Sequence, residues 1–220
     1  MLIKTIPIIL AILLVSVLTV IGFPELAMPF TWVEVEDAGN LPSTAKKIAK
    51  YETLEFITGS LESPTDVDMY AIYIIGDGSF SATTVGWTID VDTQLTLFDS
   101  SGIGIYSNDD FATDIRQSTL PAFHPLTPLT PGIYYLAISD WDYDPVSEEG
   151  YIFPHPDSID SDTAIEGPNG PGGSSPITGW DGVSLTGGGS YIIALTGAAT
   201  VARLSKGTAL PGVLLLLLDQ

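Results

Sequence analysis

An all-β fold is the expectation for this chain of 220 residues, and three features of the sequence support it. From Tyr51 onward, short apolar alternations are separated by turn residues at intervals of about ten residues, the pattern of a β-sandwich or barrel. Helical periodicity is absent outside the N-terminal segment. The apolar share of 45% is enough for one domain with a hydrophobic core. We therefore predict one two-sheet sandwich of about seven to nine strands over residues 51–198.

The N-terminal segment has the pattern of an export signal. Lys4 and the free amine precede an apolar run from Ile6 to Phe23, which is the order found in secretory signal peptides. We predict a signal helix in residues 1–27. At about 18 residues the run could also span a bilayer as an uncleaved anchor. Either interpretation puts the body of the protein outside the cytoplasm, secreted or at the cell surface, with residues 28–50 as a lead-in segment.

The predicted strands are located by alternating apolar positions. In chain order these are Leu54 and Phe56; Tyr70, Ile72 and Ile74; Phe80 and Ala82; Leu95 and Leu97; Ile103 to Tyr106; Ile115 to Leu120; Tyr134, Leu136 and Ile138; and Tyr191, Ile193 and Leu195. Gly76-Asp77-Gly78 is a strong hairpin signal. Residues 140–189 are rich in proline and are predicted to form a long irregular loop, which is usually functional or mobile.

The charge balance narrows the range of partners. The chain has 27 acidic and 7 basic residues and a formal net charge of -20. Such a surface repels nucleic acid and anionic lipid headgroups, so neither is an expected partner. Self-repulsion favours bound cations, although an acidic surface that only keeps the protein soluble is the alternative. Cysteine is absent, which excludes disulfides and thiol chemistry.

Two acid-rich groups follow predicted strands and suggest calcium, which prefers six to eight oxygen ligands. The first group is Asn108, Asp109, Asp110 and Asp114. The second group, Asp140, Asp142 and Asp144, resembles the start of an EF-hand loop but has Pro145 in place of its glycine and Tyr151 in place of its glutamate. If the two preceding strands are neighbours, the groups could share an ion. The predicted metal ligands are Asn108, Asp109, Asp110, Asp114, Asp140, Asp142 and Asp144. Turn formation is the alternative role for these side chains, and it is the role we expect for Asp90, Asp92 and Asp99.

Catalytic patterns are not evident. The two histidines, His124 and His155, each precede a proline, and the chain has no HExxH, GxSxG or phosphate-loop motif. We therefore predict a protein that is not an enzyme. Tyr151 and Trp180 are weaker candidates for binding an extracellular polysaccharide or matrix component, because aromatic rings stack on sugars. The alternative is that these rings pin the loop to the sandwich.

Four segments carry a resemblance to a known family: SPTDVDMYAIYI, DTQLTLFDSSGIGIYSNDD, LTPGIYYLAISDWDYDP and GGGSYIIALTG. In their order and spacing they resemble the bacterial pre-peptidase C-terminal domain, of the type found in exported proteins with a PEP-CTERM sorting tail. The resemblance implies a jelly-roll-like antiparallel β-sandwich that is secreted and non-catalytic, either as an accessory to extracellular enzymes or alone. Some members of the family bind calcium or polymeric substrates.

The C-terminal tail, residues 199–220, departs from that family pattern. It has a leucine run at Leu214–Leu218 but lacks the Pro-Glu-Pro signature and the terminal arginines. It resembles a degenerate sorting signal, and a loosely packed apolar end is the alternative. Contact with a membrane is expected only through this tail or the N-terminal segment.

Overall fold

The computed structural model describes residues 30–48, 53–87, 89, 91–154, 163–182 and 187–201. Within these ranges the regular structure consists of strands, which confirms the all-β prediction. No helix in the described part is long and apolar enough to cross a membrane. The predicted signal helix, residues 1–27, and the tail from residue 202 onward lie outside the described residues.

The strands are numbered in chain order. They are β1 (Phe30–Val33), β2 (Lys46–Lys47), β3 (Leu54–Leu61), β4 (Val67–Ile74), β5 (Ser81–Thr83), β6 (Thr93–Phe98), β7 (Gly104–Asn108), β8 (Thr119–Leu120), β9 (Gly132–Asp140), β10 (Tyr143–Ser147), β11 (Gly150–Tyr151), β12 (Gly179–Gly182), β13 (Gly189–Thr196) and β14 (Ala198–Thr200). Short strands in the lead-in segment and in the predicted loop raise the number above the seven to nine expected.

These strands form three sheets. A five-stranded sheet has the order β1-β3-β13-β5-β8, and a six-stranded sheet has the order β14-β4-β9-β6-β7 with β2 beside β4. A small third sheet has the order β11-β10-β12. Antiparallel pairs dominate, but β1 pairs with β3 and β2 pairs with β4 in parallel. The two large sheets are therefore mixed, because each accepts one parallel strand from the N-terminal side.

The inner core lies between the two large sheets. Tyr70 and Ile72 on β4 and Leu136 on β9 pack with Ile57 on β3 and Ile193 on β13, and all five are fully buried. Alternate residues of each strand point to this layer, as expected for a sandwich. An apolar core thus lies between two of the three sheets, while the jelly-roll-like connection of the strands stays a prediction. Burial of this apolar surface is the main driving force for its assembly.

Much of the second face of the six-stranded sheet is also buried. It is covered by what we call the outer layer, which consists of β10, β11 and β12 with Ile152, Phe153 and Ile177. Met69, Phe98 and Ala137 on this face pack with Ile152 and Ile177, which lie within the predicted loop. The prediction of a long irregular loop over residues 140–189 is therefore wrong for its described part, which contains β10, β11 and β12. β4 has apolar residues at both parities, VDMYAIYI, as is typical of a strand buried on both faces.

Residues 30–48, the described part of the lead-in segment predicted for residues 28–50, belong to the domain rather than preceding it. Phe30 and Trp32 on β1 pack against the inner core, and Ala38 and Ile48 are buried within it. The domain boundary predicted at residue 51 is therefore wrong. Isolated apolar residues in this segment show no clear periodicity, so their burial depends on neighbours that are distant in sequence.

Candidate metal centre

One end of the six-stranded sheet collects acidic residues from three neighbouring strands. β6 begins after Asp92, while β7 and β9 end at Asn108 and Asp140. The antiparallel register pairs Thr93 with Asp140 and Leu95 with Asn108. Because an antiparallel neighbour ends where its partner begins, these three strand ends lie side by side. The two predicted acid groups follow β7 and β9, which are not direct neighbours as the prediction required, because β6 lies between them.

A cleft of about 110 Å³ opens at this end, and we call it the acidic cleft. Its lining residues come from β6, β7, the β9–β10 turn and the outer layer: Gln94, Ser107, Asn108, Asp109, Trp141, Asp142, Asp144, Phe153, Pro154, Ala164 and Glu166. Four of them are carboxylates, and none of these lining residues is basic. The lining therefore brings Asp109 from the first predicted group together with Asp142 and Asp144 from the second.

Asp144 is held in the cleft by hydrogen bonds from an uncharged neighbour. Gln94 Nε2 donates to Asp144 Oδ1 at 2.8 Å, and Ser139 Oγ donates to Gln94 Oε1 at 3.0 Å. The serine thus orients the glutamine amide so that its NH₂ group faces the carboxylate. This relay fixes one oxygen of Asp144 while the side chain remains part of the cleft wall.

Asp142 occupies the tight turn that joins β9 to β10. Its φ of 60° lies in the left-handed region, which aspartate tolerates better than most residues. Gly182 on β12 lies against the Asp142 carbonyl, and any Cβ at this glycine would collide with it. The turn and β12 therefore fit closely, and this fit places Asp142 beside Asp144 at the cleft.

A cluster of three carboxylates adjoins the acidic cleft through Asp109. Oxygens of Asp92, Asp109 and Asp110 lie within 4.8 Å of one another, and one oxygen of each is buried. Calcium binds oxygens at about 2.4 Å, so one ion can bridge oxygens up to about 5 Å apart. Arg116 lies 3.5 Å from Asp92 with a largely exposed side chain. From the sequence, Asp92 was expected to form a turn. Its position directly before β6 was the signal that could have identified it as a member of this carboxylate cluster.

Other predicted ligands hold the surrounding backbone. Asn108 Oδ1 accepts from Thr119 N at 2.7 Å, and its Nδ2 donates to the carbonyls of Asp110 and Ala164. Asp140 is fully buried and accepts from the backbone N–H groups of Trp141 and Gly188. These contacts make Asn108 and Asp140 scaffold residues of the cleft.

Asp114 lies apart from both groups of carboxylates. It is exposed in the turn between Ala112 and Ile115, which form a bridge. It belongs neither to the cleft lining nor to the cluster of Asp92, Asp109 and Asp110. Asp99, in contrast, accepts the backbone N–H groups of Ser101 and Ile103, which confirms its predicted role in a turn.

Trp180, a predicted ligand-binding aromatic, packs within the outer layer. Its ring contacts Phe98 edge-on at 6.4 Å and stacks on Tyr143 at 6.2 Å, and its Nε1 donates to Asn40 O at 2.7 Å. These contacts correspond to the alternative role given for Trp180, in which its ring holds the insertion against the sandwich. The aromatic rings that do line the cleft belong to Trp141 and Phe153.

Tyr151, the other aromatic candidate, lies on β11 and is half-buried. Burial raises the pKa of its phenol, and the negative charges of Asp181, Asp144 and Asp142 raise it further. These three carboxylates therefore make the electrostatic potential at Tyr151 negative. A cation is the kind of ligand that this field favours.

A comparison with models of known protein families found no match, and a comparison with curated proteins likewise found none.

Proposed function

We propose that this chain is a secreted, non-catalytic accessory domain whose acidic cleft binds calcium. The observation that carries the proposal is the convergence of Asp109, Asp142, Asp144 and Glu166 on one cleft, whose described lining residues include no basic side chain. Four carboxylates offer up to eight oxygens, which suits calcium. Zinc is disfavoured because no described residue of the lining is a histidine or a cysteine. Export is supported by the signal-like N-terminal sequence.

The proposal also includes the family and its fold. The resemblance of four segments to the pre-peptidase C-terminal domain supports a jelly-roll-like sandwich in an exported protein. In such a domain, calcium would join strand ends that otherwise repel one another. The expected role of the ion is therefore to stabilise the cleft and the outer layer beside it.

A thermal denaturation experiment tests calcium binding. In the full chain, calcium at about a hundredfold excess over its Kd should stabilise the folded state by about 2.7 kcal/mol. For a domain of this size such a change raises Tm by about 5–10 °C relative to protein in chelator. Magnesium at the same concentration should have a smaller effect, because it requires a more regular octahedral site.

Matched variants locate the ion. Asp109→Asn should abolish most of the calcium-dependent rise in Tm, because Asp109 belongs to both the cleft and the adjoining cluster. Asp114→Asn changes the charge equally at an exposed residue outside both groups and should preserve the rise. A wild-type Tm that is insensitive to calcium, or an equal effect of the two variants, would refute the proposal.

Binding of an extracellular carbohydrate or matrix component is the second candidate function. It is favoured by Trp141, which lines the cleft beside the carboxylates and could stack on a sugar ring. Retention on insoluble polysaccharide in the presence of calcium should then be lost in Trp141→Ala and kept in Trp87→Ala. Retention that is equal in both variants would exclude this use of the cleft.

A further inference from the structure

A second group of acids lies away from the cleft, inside the sandwich. Asp68 on β4 is fully buried and faces the inner core, while its neighbours Val67 and Met69 face the outer layer. Asp68 Oδ1 accepts the backbone N–H of Ala38 at 3.3 Å. Its Oδ2 accepts the hydroxyl of Tyr191 at 2.6 Å. This carboxyl group therefore contacts both the N-terminal segment and the five-stranded sheet.

Two tyrosines extend these contacts across the core. The hydroxyls of Tyr70 on β4 and Tyr191 on β13 lie 2.6 Å apart, and both side chains are buried. Burial raises both phenol pKa values above their usual range, so both phenols stay protonated. Because Tyr191 donates its only proton to Asp68, Tyr70 must donate to Tyr191. The hydrogen bonds thus run from Tyr70 on β4 across the core to Tyr191 on β13, and back to the carboxyl group of Asp68 on β4.

Glu34, just after β1, approaches the same carboxyl group. Its Oε2 accepts the backbone N–H of Ser60 at 3.1 Å. Its Oε1 is buried and has no hydrogen-bond partner of good geometry among the described residues, while the Tyr70 hydroxyl and the Asp68 carboxyl group both lie near Glu34. Oxygens of Glu34, Asp37 and Asp68 lie within 4.8 Å of one another. Two carboxylates that meet in a buried place repel each other unless a proton lies between them.

A glycine makes room for this approach. Gly59 on β3 faces Glu34 Oε2 and the hydroxyl of Tyr191, and a Cβ at this position would collide with both. The strand therefore has no side chain where the two polar groups enter the core. The arrangement depends on the fold rather than on contact between exposed side chains.

We propose that Glu34 and Asp68 share one proton and form a pH-sensitive clamp that fastens residues 30–38 to both sheets. Asp68 carries the proton and donates it to Glu34 Oε1, which supplies that oxygen with a donor. Glu34 is held in turn by β3, and Ala38 by Asp68. Loss of the proton leaves two adjacent carboxylates, and the segment that carries Glu34 then opens.

The groups that face Asp68 favour its neutral form. Glu34 and Asp37 approach from the N-terminal segment, Asp66 precedes β4, and the two tyrosines are uncharged. The paired residue on β9 is Ile138, which has no charge. On β2, Lys46 lies 3.6 Å from Glu36. The charges that face the carboxyl group are therefore acidic.

Burial is the main cause that raises the pKa of Asp68, to about 8. The hydrogen bond from Tyr191 opposes this rise, while the charges of Glu34 and Asp66 add to it. The folded state thus binds the proton more tightly than the open state. Stabilisation by the clamp is fully present below the ordinary value of 3.8 and is lost as pH rises through about 8.

Hydrogen exchange of the full chain in chelator tests the clamp. After correction for intrinsic exchange, protection of residues 30–38 should fall by up to about tenfold per pH unit between roughly pH 5 and pH 8, then level off. The central strand β9 should remain protected. In Asp68→Asn the amide can donate to Glu34 without ionising, so protection should be nearly independent of pH.

Further variants and a spectrum complete the test. Glu34→Gln should also flatten the pH dependence, whereas Glu36→Gln, an exposed neighbour, should retain it. Infrared spectra in D₂O should show the carbonyl band of a protonated carboxyl group at neutral pH, and Asp68→Asn should lack it. Protection that does not change with pH in the wild type, an unchanged decline in Asp68→Asn, or absence of the band would overturn the proposal.

Discussion

Gln94 controls the shape of the acidic cleft through a side chain that carries no charge. Its amide joins Ser139 to Asp144, so the carboxylate is oriented before any cation arrives. Such preorganisation reduces the ordering cost of binding. The residue was not among the predicted ligands, because its role depends on two partners that lie about fifty positions away in sequence.

Replacing Gln94 with glutamate should separate the stability of the empty protein from its response to calcium. Gln94→Glu adds a carboxylate beside Asp144 and removes the N–H donor, so in chelator the Tm should fall by several degrees. Calcium should then produce a larger rise than in the wild type, because it relieves an additional repulsion. Both quantities are measured by thermal denaturation.

The matched control for Gln94 is the isosteric change Gln94→Met, which removes the hydrogen bonds without adding charge. It should lower Tm in chelator but should not enlarge the response to calcium. If Gln94→Glu responds to calcium no more than Gln94→Met, the cleft does not bind the ion near Asp144.

Asp92 illustrates the limit of prediction at the level of single residues. The sequence predicted Asp109 and Asp110 as ligands, and these two do lie together with Asp92. Asp92 itself was assigned to a turn because it precedes the core residues Leu95 and Leu97. Its contact with the other two follows from the pairing of β6 with β7, and local alternation does not define the register of strand pairs.

The outer layer is the largest difference between the expected and the observed architecture, because it contains strands where an irregular loop was expected. It covers the second face of the six-stranded sheet around Met69, Phe98 and Ala137, and it also supplies Asp144 and Phe153 to the cleft. Trp180 joins this layer to Phe98 below it and to Asn40 in the N-terminal segment. Stability of the layer and geometry of the cleft are therefore expected to change together.

Truncation of Trp180 should weaken the outer layer. Trp180→Ala removes ring contacts with Phe98 and Tyr143 and one hydrogen bond, and we expect a loss of roughly 2–4 kcal/mol in the free energy of unfolding. Trp87→Ala removes a more exposed ring and should cost about 1 kcal/mol or less. Urea denaturation measures both, and equal losses would contradict the packing role of Trp180.

The folded domain includes residues that precede Tyr51, where the alternating apolar pattern begins. A chain that begins at Tyr51 lacks β1 and β2 and the buried side chains of Ala38 and Ile48. It should therefore unfold at much lower urea concentration than a chain that begins at Ala27, or fail to fold. The longer chain keeps all of these contacts. If both chains unfold with the same midpoint and slope, the N-terminal segment is dispensable for the core.

Much of the fold could be predicted because strands and turns leave local patterns in the sequence. Alternation of apolar residues predicted the positions of β3, β4, β6, β9 and β13, and turn residues predicted where several of them end. The count of strands was too low because two- to four-residue strands such as β1 and β2 are too short to show periodicity. Their pairing depends on tertiary contacts.

The sequence by itself determined that this chain is all-β, that its sandwich has an apolar core and that carboxylates follow its strands. Only the tertiary structure decided that the outer layer covers much of the second face of the six-stranded sheet, that Asp92 joins Asp109 and Asp110, and that Glu34 meets Asp68. The physical reason is that side-chain alternation follows from the backbone of one strand. Strand pairing and the burial of charge instead depend on residues that are distant along the chain.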